Sequence, residues 1–198
     1  MIEAIATLDA LEANMSRALY RCRFDAEHRD ATLPVLAALL AEDDTAIRQR
    51  AMRAVATIGH CDTTRALAAL VPLLCANLLH ADELTRGTAV GALFAVGQDN
   101  PEAAVPALID ACDAESLLDR SLLALIEMGE AARSAVPCFR RFATHRNGKI
   151  RRLVMRGLGA IGADDEDSRT VLNAGLRDPN KRVRDMAQKA LVKVNECQ

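Results

Sequence analysis

The chain has no tryptophan, one tyrosine and four phenylalanines, so aromatic side chains make up 3% of its 198 residues. Sheets draw on aromatic and β-branched residues, whereas Ala and Leu, which dominate here, are strong helix formers. The expected fold class is all-α. Tyr20, Phe24, Phe94, Phe139 and Phe142 are too few for the grouped stacking platform or base-flipping pocket of a nucleic-acid enzyme. No stretch approaches ~18 uncharged apolar residues, so no membrane span is expected. The opening MIEAIATLDALEANMSRALY carries Glu3, Asp9 and Glu12 and lacks the basic start, apolar core and cleavage site of a signal peptide. Six scattered cysteines without CxxC spacing do not make a disulfide scaffold. They are read as small buried hydrophobes in a reducing cytoplasm.

Catalytic signatures are missing too. His28, His60, His80 and His145 belong to no HExxH or His–Glu dipeptide, which removes the common metal-ligand spacings. There is no phosphate-binding glycine loop. GLGAIG at 157–162 sits within a helical pattern at small-residue packing positions. The acidic pairs Asp43–Asp44 and Asp164–Asp165 read as turn and capping residues. No catalytic residue, metal or cofactor is expected.

What is present is a recurring segment. IRQRAMRAVATIG (47–59), TRGTAVGALFAVG (85–97), LLDRSLLALIEMG (117–129), IRRLVMRGLGAIG (150–162) and VRDMAQKALVKVN (183–195) close at intervals typical of a helical solenoid. The first has its apolar residues at Ile47, Ala51, Ala54, Val55 and Ile58, one stripe at helical period, and Gly59 reads as a left-handed C-cap. Five residues before each end stand Ala54, Ala92, Ala124, Gly157 and Ala190. Four before it stand Val55, Leu93, Leu125, Leu158 and Leu191. Small residues let neighbouring helices approach, and the larger ones fill the space between them. Upstream of each segment lies a second apolar run, four of them with a proline: Pro34, Pro72, Pro106 and Pro137. These are placed at or near helix starts, where proline is tolerated, with a kinked helix as the alternative. Asp/Asn-rich turns join the two helices.

Proline, a turn Asp or Asn, a β-branched residue followed by Arg, then Ala and a closing Gly resemble the HEAT repeat, including the phycobilin-lyase-type HEAT-like variant. The resemblance covers about residues 33–195 as five repeats. With residues 1–32 as an N-terminal cap of one or two helices, it implies a single α-α superhelix over 1–198. It also implies a ladder in which Asp44, Asp82, Asn147 and Asp178 pair with Arg48, Arg86, Arg151 and Arg184. The third repeat departs from the pattern, with Leu118 in the arginine column. A HEAT-like metal hydroxylase would need paired His–Glu motifs, which are absent, and a HEAT-like DNA glycosylase a placed catalytic Asp. Chromophore attachment or isomerisation is suggested only through the lyase-type repeats.

In HEAT-like arrays the second helices line the concave surface, and there two features stand out. Gly87, Gly91, Phe94, Leu123 and Ile126 form an apolar strip, either open to a partner or tucked into the core by curvature. Arg152, Arg156 and Lys189 form a basic wing. Charge is divided along the chain. Residues 1–132 hold 10 Lys/Arg and 20 Asp/Glu, and residues 133–198 hold 15 and 7. The expected function is a non-enzymatic protein–protein interaction scaffold holding an acidic, amphipathic protein or peptide segment. The alternatives are nucleic-acid binding by the basic half and salt-sensitive self-association of the two oppositely charged ends.

Overall fold

A computed structural model describes residue 6 and residues 26–59, 65–98 and 100–196 of the chain. Among the described residues there are helices and turns and no strand. The helices are α1 (Ala26–Leu40), α2 (Thr45–Gly59), α3 (Val71–Asn77), α4 (Glu83–Gly97), α5 (Pro101–Ala111), α6 (Leu118–Met128), α7 (Val136–Arg141), α8 (Gly148–Ile161), α9 (Glu166–Gly175) and α10 (Lys181–Glu196). Two 3₁₀ stretches, Arg65–Leu70 and Gly129–Ala135, lead into α3 and α7. The chain forms two compact units, Met1–Ala107 and Leu108–Gln198, and the division falls within α5.

In the first unit α2 packs on α4, with α1 and α3 behind them. In the second, α8 packs on both α6 and α10, with α7 and α9 behind. Each core is built from the repeated columns. Val55 and Leu93 are fully buried in the first unit, as are Leu125 and Leu158 in the second. Ala51, Ala89, Val154 and Ala187 are buried one turn earlier. Full burial of a Leu or Val contributes about 1.5–3 kcal/mol, so these columns are the main source of each unit's cohesion.

The prolines behave in two ways. Pro72 and Pro137 stand in the first turns of α3 and α7, where a missing N–H leaves no intrahelical bond unmade. The 3₁₀ lead-ins make this possible, because the α-helical register begins only one residue before the proline. Pro34 and Pro106 instead lie inside α1 and α5, so the expected helix starts there are corrected. α1 runs from Ala26 to Leu40 among the described residues, so residues 26–32 share one helix with the start of the first repeat. Residues 1–25 of the expected N-terminal cap lie outside the described residues, apart from residue 6.

The closing glycines also divide. Gly162 takes φ +69° and ψ +42°, the left-handed conformation that glycine adopts without a Cβ clash. Its N–H donates to the Leu158 carbonyl, as does that of Ala163, at 2.9 Å. Gly59 is the last residue of α2 and is not left-handed. A Cβ there would lie 2.9 Å from the Ala95 carbonyl oxygen. The glycine is present because α4 comes close, and the C-cap expectation for it is corrected.

Candidate partner-binding surface

The loops joining the two helices of a repeat are closed by a shared set of bonds. The residue at the cap position accepts backbone N–H groups of the first turn. Asp44 accepts from Ala46 at 2.8 Å, Asp82 from Thr85 at 2.6 Å, Asn147 from Lys149 at 2.9 Å, and Asn180 from Arg182 at 2.9 Å. Two residues earlier a side chain accepts the cap residue's own N–H. His80 Nδ1 does so at 3.0 Å, His145 Nδ1 at 3.1 Å and Asp178 Oδ1 at 2.8 Å. Four residues after the cap, Arg48, Arg86, Arg151 and Arg184 each reach back to the carbonyl of that same earlier residue: Glu42, His80, His145 and Asp178. The arginine column therefore fastens its own loop. The ladder from turn acid to the next Arg is corrected accordingly. One acid–Arg rung of that column exists among the described residues, Arg151 to Asp178, made bidentate at 2.7 and 2.9 Å. It joins a loop to the following loop. The guanidinium donating to Asp178 holds that carboxyl below the ordinary Asp range.

The third repeat lacks every part of this clasp. Cys112, Ala114 and Leu118 occupy the three positions. Its loop is held instead from the following repeat, by Arg141 to Asp113 at 2.7 Å and Arg146 to Glu115 at 2.9 Å. The Cys112 thiol lies beside Cys138, and that contact, with burial, pushes it up. Both cysteines are buried free thiols. His80 and His145 are loop fasteners, and no group of His, Cys, Asp or Glu among the described residues is placed to hold a metal ion.

On the second-helix surface of the second unit, acids of α6 meet bases of α8. Lys149 pairs with Asp119 at 2.7 Å, and Arg156 pairs with Glu127. The hydrogen bond from Lys149 holds the Asp119 carboxyl low. The next step has no such pairing. α8, with the sequence GKIRRLVMRGLGAI, has four basic residues and no acid. Lys189 and Lys193 of α10 consequently have no acid opposite them on α8, and both are exposed. Nearby, α8 and α10 are almost in backbone contact, since a Cβ on Gly159 would sit 2.8 Å from Ala190 Cα.

That close approach floors an open groove of about 390 Å³. Gly159, Ala160 and Ala190 form its base, with Ile126 and Glu127 on one side and Met186, Lys189 and Lys193 on the other; Arg156 also lines it. Of the residues singled out in the sequence, the structure brings Ile126, Arg156 and Lys189 together here. Leu123 is half-buried one turn before Ile126, and Arg152 is half-buried one turn before Arg156. Ile126 is 4% exposed, so it borders the groove without offering much surface. In the first unit Gly87 is buried, Phe94 is half-buried and Gly91 is exposed, with open space where a Cβ would be. Sequence reasoning missed Glu127 and Lys193, which share the column two residues before the end of each repeat. That column lies one turn beyond the column of Arg156 and Lys189, so the helical period alone points to it.

Helical hairpins recurring along the chain, joined by small-residue seams and with a loop clasp shared by all but the third, define a helical-repeat protein. More particularly, the chain has the HEAT/armadillo-like repeat fold. A designed armadillo repeat protein in complex with the peptide (KR)4 matches with a TM-score of 0.67 at 16% identity, over 98% of each chain. The archaeal HEAT-like repeats protein from Thermococcus onnurineus NA1 matches at 0.67 and 13% identity, over 96% of this chain and 80% of that one. An engineered protein from the Northeast Structural Genomics Consortium matches at 0.66 and 18% identity, over 99% and 98%. No protein-family model and no curated protein matches the sequence. No helix among the described residues is long and apolar enough to cross a membrane.

Proposed function

We propose that this protein is a non-enzymatic scaffold that holds an acidic, amphipathic segment of a partner protein on the second-helix surface of its second unit. The observation that carries the reading is the absence of any acid on α8 facing the exposed Lys189 and Lys193 of α10. Lys189 and Lys193 flank a groove floored by small residues, and α8 supplies no carboxylate to neutralise them. Charged surfaces left without an internal partner favour ligands of the opposite sign and speed their encounter. Among proteins of similar fold, one designed armadillo repeat protein is in complex with the basic peptide (KR)4. Another set was designed for modular peptide recognition. Here the groove is basic, so the preferred segment is acidic. Free buried thiols at Cys112 and Cys138 fit a reducing, cytoplasmic setting.

The test is fluorescence anisotropy with a labelled (Glu-Leu)4 peptide, which alternates acid and apolar side chains. Wild-type protein is expected to bind it with salt-dependent affinity, and the Lys189→Glu/Lys193→Glu double variant to bind at least about tenfold more weakly, since each 1.4 kcal/mol is tenfold. Equal binding by the double variant rejects the surface. Binding of single-stranded DNA in place of the peptide, with a steep salt slope, transfers the same basic residues to a nucleic-acid function.

A further inference from the structure

The groove already contains one carboxylate. Glu127 lines it and is paired with Arg156, another lining residue, and both side chains remain partly exposed, at 49% and 43%. The pair differs from its neighbour one step along the same seam. Asp119 and Lys149 are likewise paired but do not line the groove. We infer that Glu127 is a built-in competitor for the acidic segment: it occupies Arg156 in the free protein, and a partner carboxylate takes its place on binding. The inference rests on the reading of the groove as an acidic-peptide site and names the residue that sets its selectivity.

Exposed ion pairs are weakly held, at about 0–1 kcal/mol, so a guanidinium can change partners at little cost. Arg156 faces the same groove as Lys189 and Lys193, which have no acid opposite them on α8. A segment whose carboxylates meet the two lysines brings further carboxylates within reach of Arg156, where Glu127 opposes them by like-charge repulsion. Glu127 therefore weakens binding of acidic segments twice, through occupation and through repulsion. It also gives a basic segment a place to dock, which moderates the selectivity of the groove.

The experiment compares wild type, Glu127→Gln and Glu127→Gln/Arg156→Gln by anisotropy with (Glu-Leu)4 and with the charge-reversed (Lys-Leu)4. Glu127→Gln is expected to bind the acidic peptide about three- to fivefold more tightly, the range an exposed pair allows, and the basic peptide more weakly. The added Arg156→Gln substitution is expected to abolish the gain. A packing defect would lower both affinities, so the opposed directions separate competition from damage. If wild type binds the acidic peptide and Glu127→Gln binds it no better, the competitor role is overturned while the groove reading stands. If neither protein binds it, the groove reading fails and the competitor role with it. If Glu127→Gln alone binds, the competitor role is supported in its strongest form.

Discussion

The two seams made by α8 are unlike. On the side of α6, acids of the earlier helix neutralise bases of the later one at Asp119–Lys149 and Glu127–Arg156. On the side of α10, the second-helix surface has no acid on α8 to continue the series. That seam is held by close backbone approach at Gly159 and Ala190 and, at the loop edge, by the Arg151–Asp178 pair. One seam is thus electrostatically complete and the other is shape-matched but charge-deficient. In a repeat array a missing rung costs little stability, because exposed pairs contribute little, yet it leaves a field that a ligand can satisfy. Function can in this way reside where the repeat pattern stops supplying its own counter-charges.

The largest expected effect comes from breaking the shape match. Gly159→Leu would place a side chain against the Ala190 backbone and is expected to cost about 3 kcal/mol, read as a loss of melting temperature. Gly91→Ala, on an exposed face with open space, should not destabilise. Next is the loop edge. Arg151→Met loses a loop fastener and a bidentate ion pair whose side chains are 16% and 10% exposed, and is expected to cost about 2 kcal/mol in chemical denaturation. Arg86→Met loses only bonds to the His80 and Ala81 carbonyls and should cost about 1 kcal/mol. Equal costs would show that the Asp178 rung contributes nothing.

The same rung has a pH signature. Because Asp178 titrates below the ordinary Asp value in the folded state, the unfolded chain takes up its proton first as pH falls. The stabilisation is complete above about pH 4 and is lost as pH drops through the depressed folded value. The melting-temperature gap between wild type and Asp178→Asn should therefore be widest at pH 7 and narrow towards pH 3. A constant gap would mean that the carboxylate charge is immaterial. The smallest effect is on the completed seam, where Asp119→Asn, removing the exposed Lys149 pair, should change stability by less than about 1 kcal/mol.

Much of this was legible in the sequence. The columns of Ala54, Val55 and their equivalents located the second helices and their buried faces, because residues five and four before each end recur with little variation. The loop clasp was half legible. The arginines stood out as a column, but their acceptors are backbone carbonyls, which leave no mark on residue identity. Pro34 and Pro106 were placed too early in their helices, since proline position alone does not distinguish a first turn from an interior one. At the groove, Arg156 and Lys189 were visible as a basic row, whereas for Glu127 the helical period showed the face and not the partner. Its role depends on a cross-helix pairing that only the packing of α6 on α8 creates. The apolar strip through Gly87 and Ile126 stayed open between surface and core, because helical period gives direction without giving the depth of packing.

Docking in the groove is a matter of position, so the most direct measurement is one that reports position. Methyl NMR of the intact protein, labelled at methionine and alanine, should show shifts at Met186, Ala160 and Ala190 on titration with (Glu-Leu)4, fading as salt is raised, with Met52 in the first unit unmoved. Saturable shifts elsewhere with the groove methyls silent would contradict the account.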